Sequence, residues 1–311
     1  MAEHTAAARA ARERIAGLAV RTPLVRLGRE GVPEIWLKLE NLQPIGSFKI
    51  RGAANAMLGL GREKLARGVL TASAGNMAQG VAYCARRMGI PATVVAPDTA
   101  PQTKLDAIRR LGARIIQAPF AAWWQCFADR SWPDVEAAFI HAFDDPAVRA
   151  GNGTIALELL EDLPQVQAVV VPWGGGGLAC GIAAVLQELA PQVKVFAAEV
   201  ETAAPLAAAL TAGSAREVSY QPSFVDGIGS KMVFPGMFAL AQTLLTGSIV
   251  VTLAEAAEAM KLVAERNRVI LEGAAACAVA AAISGRAGEG PVAAIASGGN
   301  IDLAKFAELT R

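Results

Sequence analysis

The residues best suited to chemistry lie in the segment Asn41–Asn55, which reads N-L-Q-P-I-G-S-F-K-I-R-G-A-A-N. A polar turn ends at Ser47, a good helix N-cap, and a run of helix formers follows it. The predicted helix places Lys49 in its first turn, where the helix dipole disfavours a cation. An amine that is neutral or covalently used would explain this position. The simpler interpretation, which these residues alone favour, is an exposed lysine whose head reaches water.

A second candidate segment is the glycine run in V-V-V-P-W-G-G-G-G-L-A-C-G, residues 169–181. The pattern predicts a strand that leads into glycines, whose backbone N–H groups can approach an anion at a helix N-terminus. Gly174, Gly176 and Ala179 also fit the dinucleotide fingerprint G-x-G-x-x-A, with Glu199 about twenty residues further on. Taken alone, the segment fits a nicotinamide or flavin enzyme equally well. Four unbroken glycines, however, suit one compact phosphate better than a pyrophosphate.

Two further turns follow predicted strands. S-A-G-N-M-A-Q-G offers N–H groups from Ser73 to Met77 for a carboxylate, and Asn76 is placed to reach a ring hydroxyl. S-G-G-N begins with Ser297, whose hydroxyl lies at a strand's carboxyl end, where α/β proteins bind ligands. Each segment is also explained as an ordinary turn. Together with Lys49 and the glycine run, they match pyridoxal phosphate better than NAD, because the lysine would hold the aldehyde and the cofactor would act as an electron sink.

The elements that must position these residues alternate regularly. The pattern predicts helices over 1–20, 47–59, 76–88, 101–111, 120–129, 145–162, 177–189, 253–268 and 274–284. It predicts strands over 34–40, 69–72, 92–96, 114–117, 137–141, 166–171, 193–198, 248–251 and 292–296. A short helix closes the chain, and 200–247 is rich in turns. Strands that alternate with helices indicate parallel βαβ units, so we expect an α/β fold with the site between two lobes.

The composition limits the classes of partner. The 311 residues carry a net charge of +1, which gives no electrostatic reason to expect nucleic acid or an anionic membrane as partner. Hydrophobic residues make up 53% of the chain, and the thin charged surface predicts a homodimer. The uncharged stretch Val166–Leu186 is as long as a membrane span, but Pro172 and four glycines interrupt it. A buried strand, a glycine turn and a buried helix explain it better.

Cysteines and histidines restrict the chemistry further. Four cysteines lie far apart in apolar or alanine-rich surroundings: Cys84, Cys126, Cys180 and Cys277. They predict buried free thiols, and the charged N-terminus lacks the apolar segment of a secretory signal, so we expect a cytoplasmic protein. Around His4 and His141 no catalytic relay or metal cluster can be assembled, and His141 is expected to be structural. Proton transfer must then depend on lysine, carboxylates or a cofactor.

Four motifs occur in the order and spacing of the fold-type II pyridoxal phosphate enzymes: G-S-F-K-I-R-G-A, S-A-G-N-M-A-Q-G, G-G-G-G-L and S-G-G-N. From about Thr22 to Asp302, the chain resembles the branch of serine/threonine dehydratases and serine racemases. The resemblance implies a two-lobed fold similar to the tryptophan synthase β subunit, with parallel sheets flanked by helices. It implies a large cofactor-binding domain over 1–50 and 146–311, and a small, mobile domain over 51–145 that closes on substrate.

The resemblance also implies two sets of site residues. The cofactor would lie among Phe48, Lys49, Asn76, Gly174, Gly175, Gly176, Gly177, Leu178, Glu272 and Ser297. The substrate carboxylate would lie on Ser73, Ala74, Asn76 and Met77. Lys49 would carry the cofactor, and the glycines would hold its phosphate. Ser297 would face the pyridine nitrogen, where a neutral hydroxyl favours β-elimination over transamination.

The implied reaction removes water from a β-hydroxy amino acid of the L-serine or L-threonine type and gives a 2-oxo acid and ammonia. The freed Lys49 amine would remove the Cα proton, so its pKa must fall from about 10.4. Amino-acid racemase is the alternative with the same cofactor, although the serine that serves the second face in the racemases corresponds here to Ala74. An NAD-dependent oxidoreductase remains the alternative from the glycine fingerprint, and a non-enzymatic amino-acid sensor is a further one.

Three departures from the branch affect these expectations. Met77 stands where the branch usually has histidine, so the turn lacks a polar side chain there. Glu199 and Ala203 match the branch's cation site, but Pro205 occupies its acidic position, so we expect no bound metal. Trp123 and Trp124 make the closing lobe unusually aromatic. They either belong to the core or shape a pocket for a substrate larger than threonine.

Overall fold

The computed structural model describes residues 3–28 and 34–311, so the first two residues of the predicted N-terminal helix lie outside the described part. The strands are β1 (Leu24–Arg26), β2 (Ile35–Lys38), β3 (Val69–Ala72), β4 (Ala92–Pro97), β5 (Arg114–Ala118), β6 (Ala138–Phe139), β7 (Ala168–Pro172), β8 (Lys194–Val200), β9 (Gly247–Val251) and β10 (Val292–Ile295). A 3-10 turn covers Glu40–Leu42.

The helices divide in the same way between the two halves of the chain. The first seven are α1 (Glu3–Arg14), α2 (Lys49–Gly59), α3 (Gly61–Leu65), α4 (Asn76–Met88), α5 (Gln102–Arg110), α6 (Phe120–Asp129) and α7 (Pro146–Asp162). The remaining six are α8 (Gly177–Leu189), α9 (Pro205–Ala212), α10 (Pro235–Leu244), α11 (Leu253–Asn267), α12 (Gly273–Ile283) and α13 (Leu303–Leu309).

The larger sheet has the strand order β1-β2-β10-β7-β8-β9. Its strands are parallel except β1, which pairs antiparallel with β2. Alternate residues of β7 face opposite layers: Val170 packs with α11 and α12, whereas Val169 and Val171 pack with α7, α8 and α10. Because helices cover both faces, the central strands are apolar throughout.

The smaller sheet is fully parallel, with the order β5-β4-β3-β6. Its strands all lie between Val69 and Phe139, inside the predicted small domain, although the domain boundaries themselves stay predictions. Helix α2 packs against α4 of the smaller half and α7 of the larger half. The parallel sheets flanked by helices confirm the predicted α/β class.

A buried cluster of charged groups fixes α2 at the junction of the two halves. The Arg51 guanidinium bonds both carboxylates, with its nitrogens 2.8 Å from Glu40 and 2.6 Å from Glu158. Lys38 Nζ lies 2.6 Å from Glu158 and donates to the backbone carbonyl of Thr22. Two positive and two negative groups thus compensate one another in the interior, two residues beyond Lys49.

Most predicted elements match the structure, and four differ. The bounds of α4, α6, α8 and β3 agree with the sequence prediction. The short edge strand β1 was missed, and the turn-rich segment 200–247 contains two helices, α9 and α10. The predicted Ser47 N-cap is wrong, because α2 begins after Phe48 and, among the described residues, the buried Ser47 hydroxyl has no hydrogen-bond partner. Within the described chain, no helix is long and apolar enough to cross a membrane.

Candidate active site

A cavity of about 480 Å³ lies between the two halves of the molecule. Every predicted site residue lines it: Phe48, Lys49, Ser73, Ala74, Asn76, Met77, Gly174, Gly175, Gly176, Gly177, Leu178, Glu272 and Ser297. These residues come from four separate stretches of chain, each at the end of a strand or the start of a helix. The structure therefore brings the four motifs together, while the individual roles remain predictions.

Lys49 begins α2 and is half-buried in this cavity. Its Nζ donates a hydrogen bond to the carbonyl oxygen of Ala142 at 2.9 Å and lies 5.3 Å from the centroid of the Phe48 ring. Burial lowers the pKa of the Lys49 amine to about 8, although the nearby Glu272 carboxylate acts in the opposite direction. The amine is therefore a nucleophile and base close to neutral pH, as the helix-start position suggested.

The glycine run forms a tight loop between β7 and α8. Gly176 is the N-cap of α8 and has a φ of 86°, a left-handed conformation that favours glycine. A Cβ at Gly175 would lie 2.2 Å from the Phe143 ring, and one at Gly177 would lie 2.8 Å from the Phe143 backbone. Close packing thus requires glycines here, and their N–H groups are left at a helix N-terminus, where a phosphate fits.

Asn76 joins the two halves across the cavity. Its side-chain amide donates to Glu272 Oε1 and Oε2 at 2.9 and 3.1 Å, and its Oδ1 accepts from Asn300 Nδ2 at 2.8 Å. Burial raises the pKa of the Glu272 carboxyl to about 7, against the effect of the Asn76 hydrogen bond. Asn300 was not selected from the sequence, although it is the last residue of the quoted S-G-G-N motif.

The turn before α4 differs in part from expectation. The N–H of Ser73 is not free for a carboxylate, because it donates to the carbonyl of Val95 in the smaller sheet at 2.9 Å. The N–H of Gly75 donates to Ser73 Oγ at 3.1 Å. Asn76 and Met77 begin α4, so their N–H groups belong to its first turn, which intrahelical bonds leave free. The Met77 side chain is buried in the core of the smaller half.

The two remaining polar candidates are both buried. Ser297 follows β10, and its carbonyl accepts from the N–H of Phe48 at 3.0 Å, which holds the start of α2 against the larger sheet. His141 Nδ1 accepts from the backbone N–H of Asp144 at 2.8 Å and from that of Phe143 at 3.3 Å. Burial lowers the pKa of His141 to about 4, so the ring is neutral. His141 has the structural role that the sequence suggested.

Glu199 does not provide the ribose contact of a dinucleotide fold. It lies inside β8, fully buried, and its two oxygens accept from the N–H groups of Leu206 and Ala207 at 2.8 and 2.7 Å. Ser248 Oγ donates to the same carboxylate at 2.6 Å. The carboxylate therefore caps α9 from outside the helix, and the dinucleotide alternative loses its acidic partner. Among the described residues, no group of three or more His, Cys, Asp or Glu side chains is placed to hold a metal.

Comparisons with known proteins agree with this geometry. The family profile described as pyridoxal-phosphate dependent enzyme matches residues 15–298. The chain belongs to this family. The L-threonine ammonia-lyase of Thermotoga maritima is 44% identical over 273 residues, which cover 87% of this chain and 68% of that protein.

Solved structures show the same fold over nearly the whole chain. The processed form of threonine deaminase isoform 2 from Solanum lycopersicum has a TM-score of 0.88 at 35% identity, and the match covers 99% of this chain and 92% of that one. Maize serine racemase has a TM-score of 0.88 at 31% identity, with coverage of 97% and 95%. The predicted family, fold type and cofactor are thus confirmed, and both enzyme classes of the predicted branch are represented among the relatives.

Proposed function

We propose that this pyridoxal-phosphate dependent enzyme deaminates a β-hydroxy amino acid of the L-threonine or L-serine type to a 2-oxo acid and ammonia. The observation that carries the proposal is a Lys49 amine of lowered pKa in a cavity that also contains the glycine loop and the start of α4. The relatives named ammonia-lyase and threonine deaminase support the same reaction class.

The cavity fits the cofactor in size and chemistry. Gly174 to Leu178 would hold the phosphate at the start of α8, Lys49 the aldehyde and Ser297 the pyridine nitrogen. Asn76, which now bonds Glu272, would bond the ring oxygen, with Glu272 close to the ring. The bound cofactor supplies an electron sink that makes the Cα proton of the substrate acidic.

The protein groups then divide the remaining tasks. The first-turn N–H groups of α4, at Asn76 and Met77, bind the substrate carboxylate with the favourable helix dipole. The Lys49 amine, neutral above about pH 8, removes the Cα proton. Loss of the β-hydroxyl as water, followed by hydrolysis, converts L-threonine into 2-oxobutanoate and ammonia.

Racemisation is the second candidate, since maize serine racemase shares the fold. It requires an acid–base group on each face of the planar carbanion. Ala74 lines the cavity at the position where the resemblance places the second group, and its methyl side chain carries no transferable proton. We therefore expect elimination to dominate.

The test is a 2-oxo acid assay with L-threonine and L-serine, combined with chiral chromatography of the remaining amino acid. We expect 2-oxobutanoate or pyruvate with little D-amino acid, and almost complete loss of activity in Lys49→Ala, because anchor and base are lost together. Ala74→Ser should raise the ratio of D-serine to pyruvate. D-serine formed as fast as pyruvate by the natural protein would contradict the assignment.

The oligomeric state and the compartment are proposals too. We expect a homodimer, for which the thin charged surface is the support, and light scattering after gel filtration would measure its mass. We expect a cytoplasmic location. It is supported by four free, buried cysteines, whose thiol pKa values burial raises.

A further inference from the structure

A second, smaller chamber of about 220 Å³ adjoins the site at Lys49. Five aromatic side chains line it: Trp123, Trp124, Phe127, Phe143 and Phe234. Trp123, Trp124 and Phe127 belong to α6, and Phe234 immediately precedes α10 on the opposite side. The two tryptophans therefore line a pocket beside the reactive amine as well as packing against their neighbours.

The rings form a continuous array around the chamber. The Trp124 and Phe234 centroids are 5.4 Å apart, and those of Phe143 and Phe234 are 5.0 Å apart with an edge-to-face arrangement. Trp123 meets Phe127 edge-to-face at 5.2 Å. Such spacings are those of favourable aromatic pairs, and a further ring placed among them would gain similar contacts.

The cofactor contacts leave this chamber largely free. Of the residues predicted to hold the cofactor, only Lys49, Gly174 and Gly175 line the chamber. The others line the larger cavity, which also contains the carboxylate-binding turn. A substrate whose Cα lies at Lys49 could therefore direct its β-substituent into the aromatic chamber.

The size and charge of the chamber restrict that substituent. A cavity of about 150 Å³ accommodates benzene, so 220 Å³ suffices for a phenyl ring, whereas the methyl group of threonine would leave most of the space unfilled. Among the described residues that line the chamber, Lys49 and Asp226 carry the only charges, and Asp226 pairs with Lys104 at 2.6 Å. An anionic substituent would thus lack a dedicated cation.

We infer that the enzyme accepts β-hydroxy amino acids with a bulky apolar β-substituent, in particular a β-aryl group, and prefers them to threonine. The inference rests on the proposed function. The reaction breaks the Cα–H and Cβ–O bonds of 3-phenylserine, releases water, and after hydrolysis gives phenylpyruvate and ammonia.

The first experiment compares kcat/KM of the holoenzyme for L-threo-3-phenylserine, L-threonine and L-threo-3-hydroxyaspartate. We expect phenylserine to exceed threonine by about tenfold or more, from burial of the ring, and hydroxyaspartate to be the poorest substrate. Phenylpyruvate must be the product, since benzaldehyde and glycine would indicate carbon–carbon cleavage and overturn the proposed reaction.

A second experiment measures binding without turnover. L-Phenylalanine and L-alanine lack the β-hydroxyl, so calorimetry with the holoenzyme compares the chamber's affinity for a ring with that for a methyl group. We expect a dissociation constant about tenfold or more lower for L-phenylalanine. Equal constants would overturn the inference.

Variants locate the effect in the chamber. Trp124 is 40% exposed, so Trp124→Ala should fold, and we expect it to lower the ratio of kcat/KM for phenylserine to that for threonine about three- to tenfold. Trp132→Phe is the matched control, because Trp132 is half-buried in the same half of the molecule and is not among the chamber's lining residues. A ratio unchanged in Trp124→Ala would contradict the assignment.

The outcomes separate the two proposals. Turnover of threonine with inert phenylserine would overturn only the inference about the chamber. If neither compound released a 2-oxo acid, the proposed function would fail. The calorimetric comparison would still decide whether the chamber recognises an aromatic ring.

Discussion

The side-chain amide of Asn76 bonds both oxygens of the Glu272 carboxylate, at 2.9 and 3.1 Å, and so connects the start of α4 to the start of α12. The two residues are 196 positions apart in the chain. Asn76 is itself oriented by Asn300, which donates to its oxygen. The buried carboxylate thus depends for its polar contacts on the residue that the resemblance assigns to the cofactor.

Glu272 predicts a pH dependence of stability in the cofactor-free protein. Its pKa is about 7 in the folded state against an ordinary 4.5, so the folded state binds the proton more tightly between these values. The free energy of unfolding should therefore fall as the pH rises from 4.5 to 7, by about 3 kcal/mol from this group. Glu272→Gln should lack this fall when urea unfolding is measured at pH 5 and pH 8.

The comparison must be a difference between variants, because His141 acts in the opposite direction. Its pKa is lowered to about 4 from 6.5, so its contribution rises with pH over that window. His141 is present in both proteins, and its contribution cancels. Glu289→Gln, at an exposed position, is the control and should retain the pH dependence of the natural protein. Parallel curves for the natural protein and Glu272→Gln would rule out a raised pKa.

Gly175 provides a test of the phosphate loop. A Cβ there would lie 2.2 Å from the Phe143 ring, so Gly175→Ala must displace the loop or the ring and should weaken cofactor binding by at least about tenfold. The measurement is the absorbance of bound cofactor during titration of the cofactor-free protein. Gly236→Ala is the control, because no heavy atom of the described chain outside its neighbours lies within 4 Å of the added Cβ. Equal affinities in both variants would show that the loop tolerates the methyl group.

Local patterns in the sequence predicted the regular elements and the motif residues, whereas contacts between distant residues were not readable. The period of apolar residues located α4, α6, α8 and β3 to the residue. Helices α9 and α10 were missed because proline begins each and a turn-rich segment joins them. The capping of α9 by Glu199 and the pairing of Lys104 with Asp226 arise only when separate strands and helices pack.

The buried charges around Arg51 should dominate the stability of the helix that carries Lys49. Arg51→Met removes one cation and leaves Glu40 and Glu158, both buried, with Lys38 alone to balance them. We expect a loss of about 3 to 5 kcal/mol in the free energy of unfolding, measured with urea. Arg67→Met breaks an exposed ion pair with Glu136 and should cost at most about 1 kcal/mol. Similar losses in both variants would contradict the role of burial.

Glu199 leads to a prediction about metal. Its oxygens already accept three hydrogen bonds, two from the first turn of α9 and one from Ser248, so helix capping occupies the carboxylate that the related enzymes' cation site would use. Exhaustive chelation should therefore leave both activity and melting temperature unchanged. Glu199→Gln places an amide N–H against donors and should lower stability by about 1 to 3 kcal/mol, equally with and without chelator. Glu258→Gln, at an exposed position on α11, is the matched control and should change neither property. Inactivation by chelator that magnesium or calcium reverses would show that a cation binds elsewhere in the protein or displaces these N–H groups from Glu199.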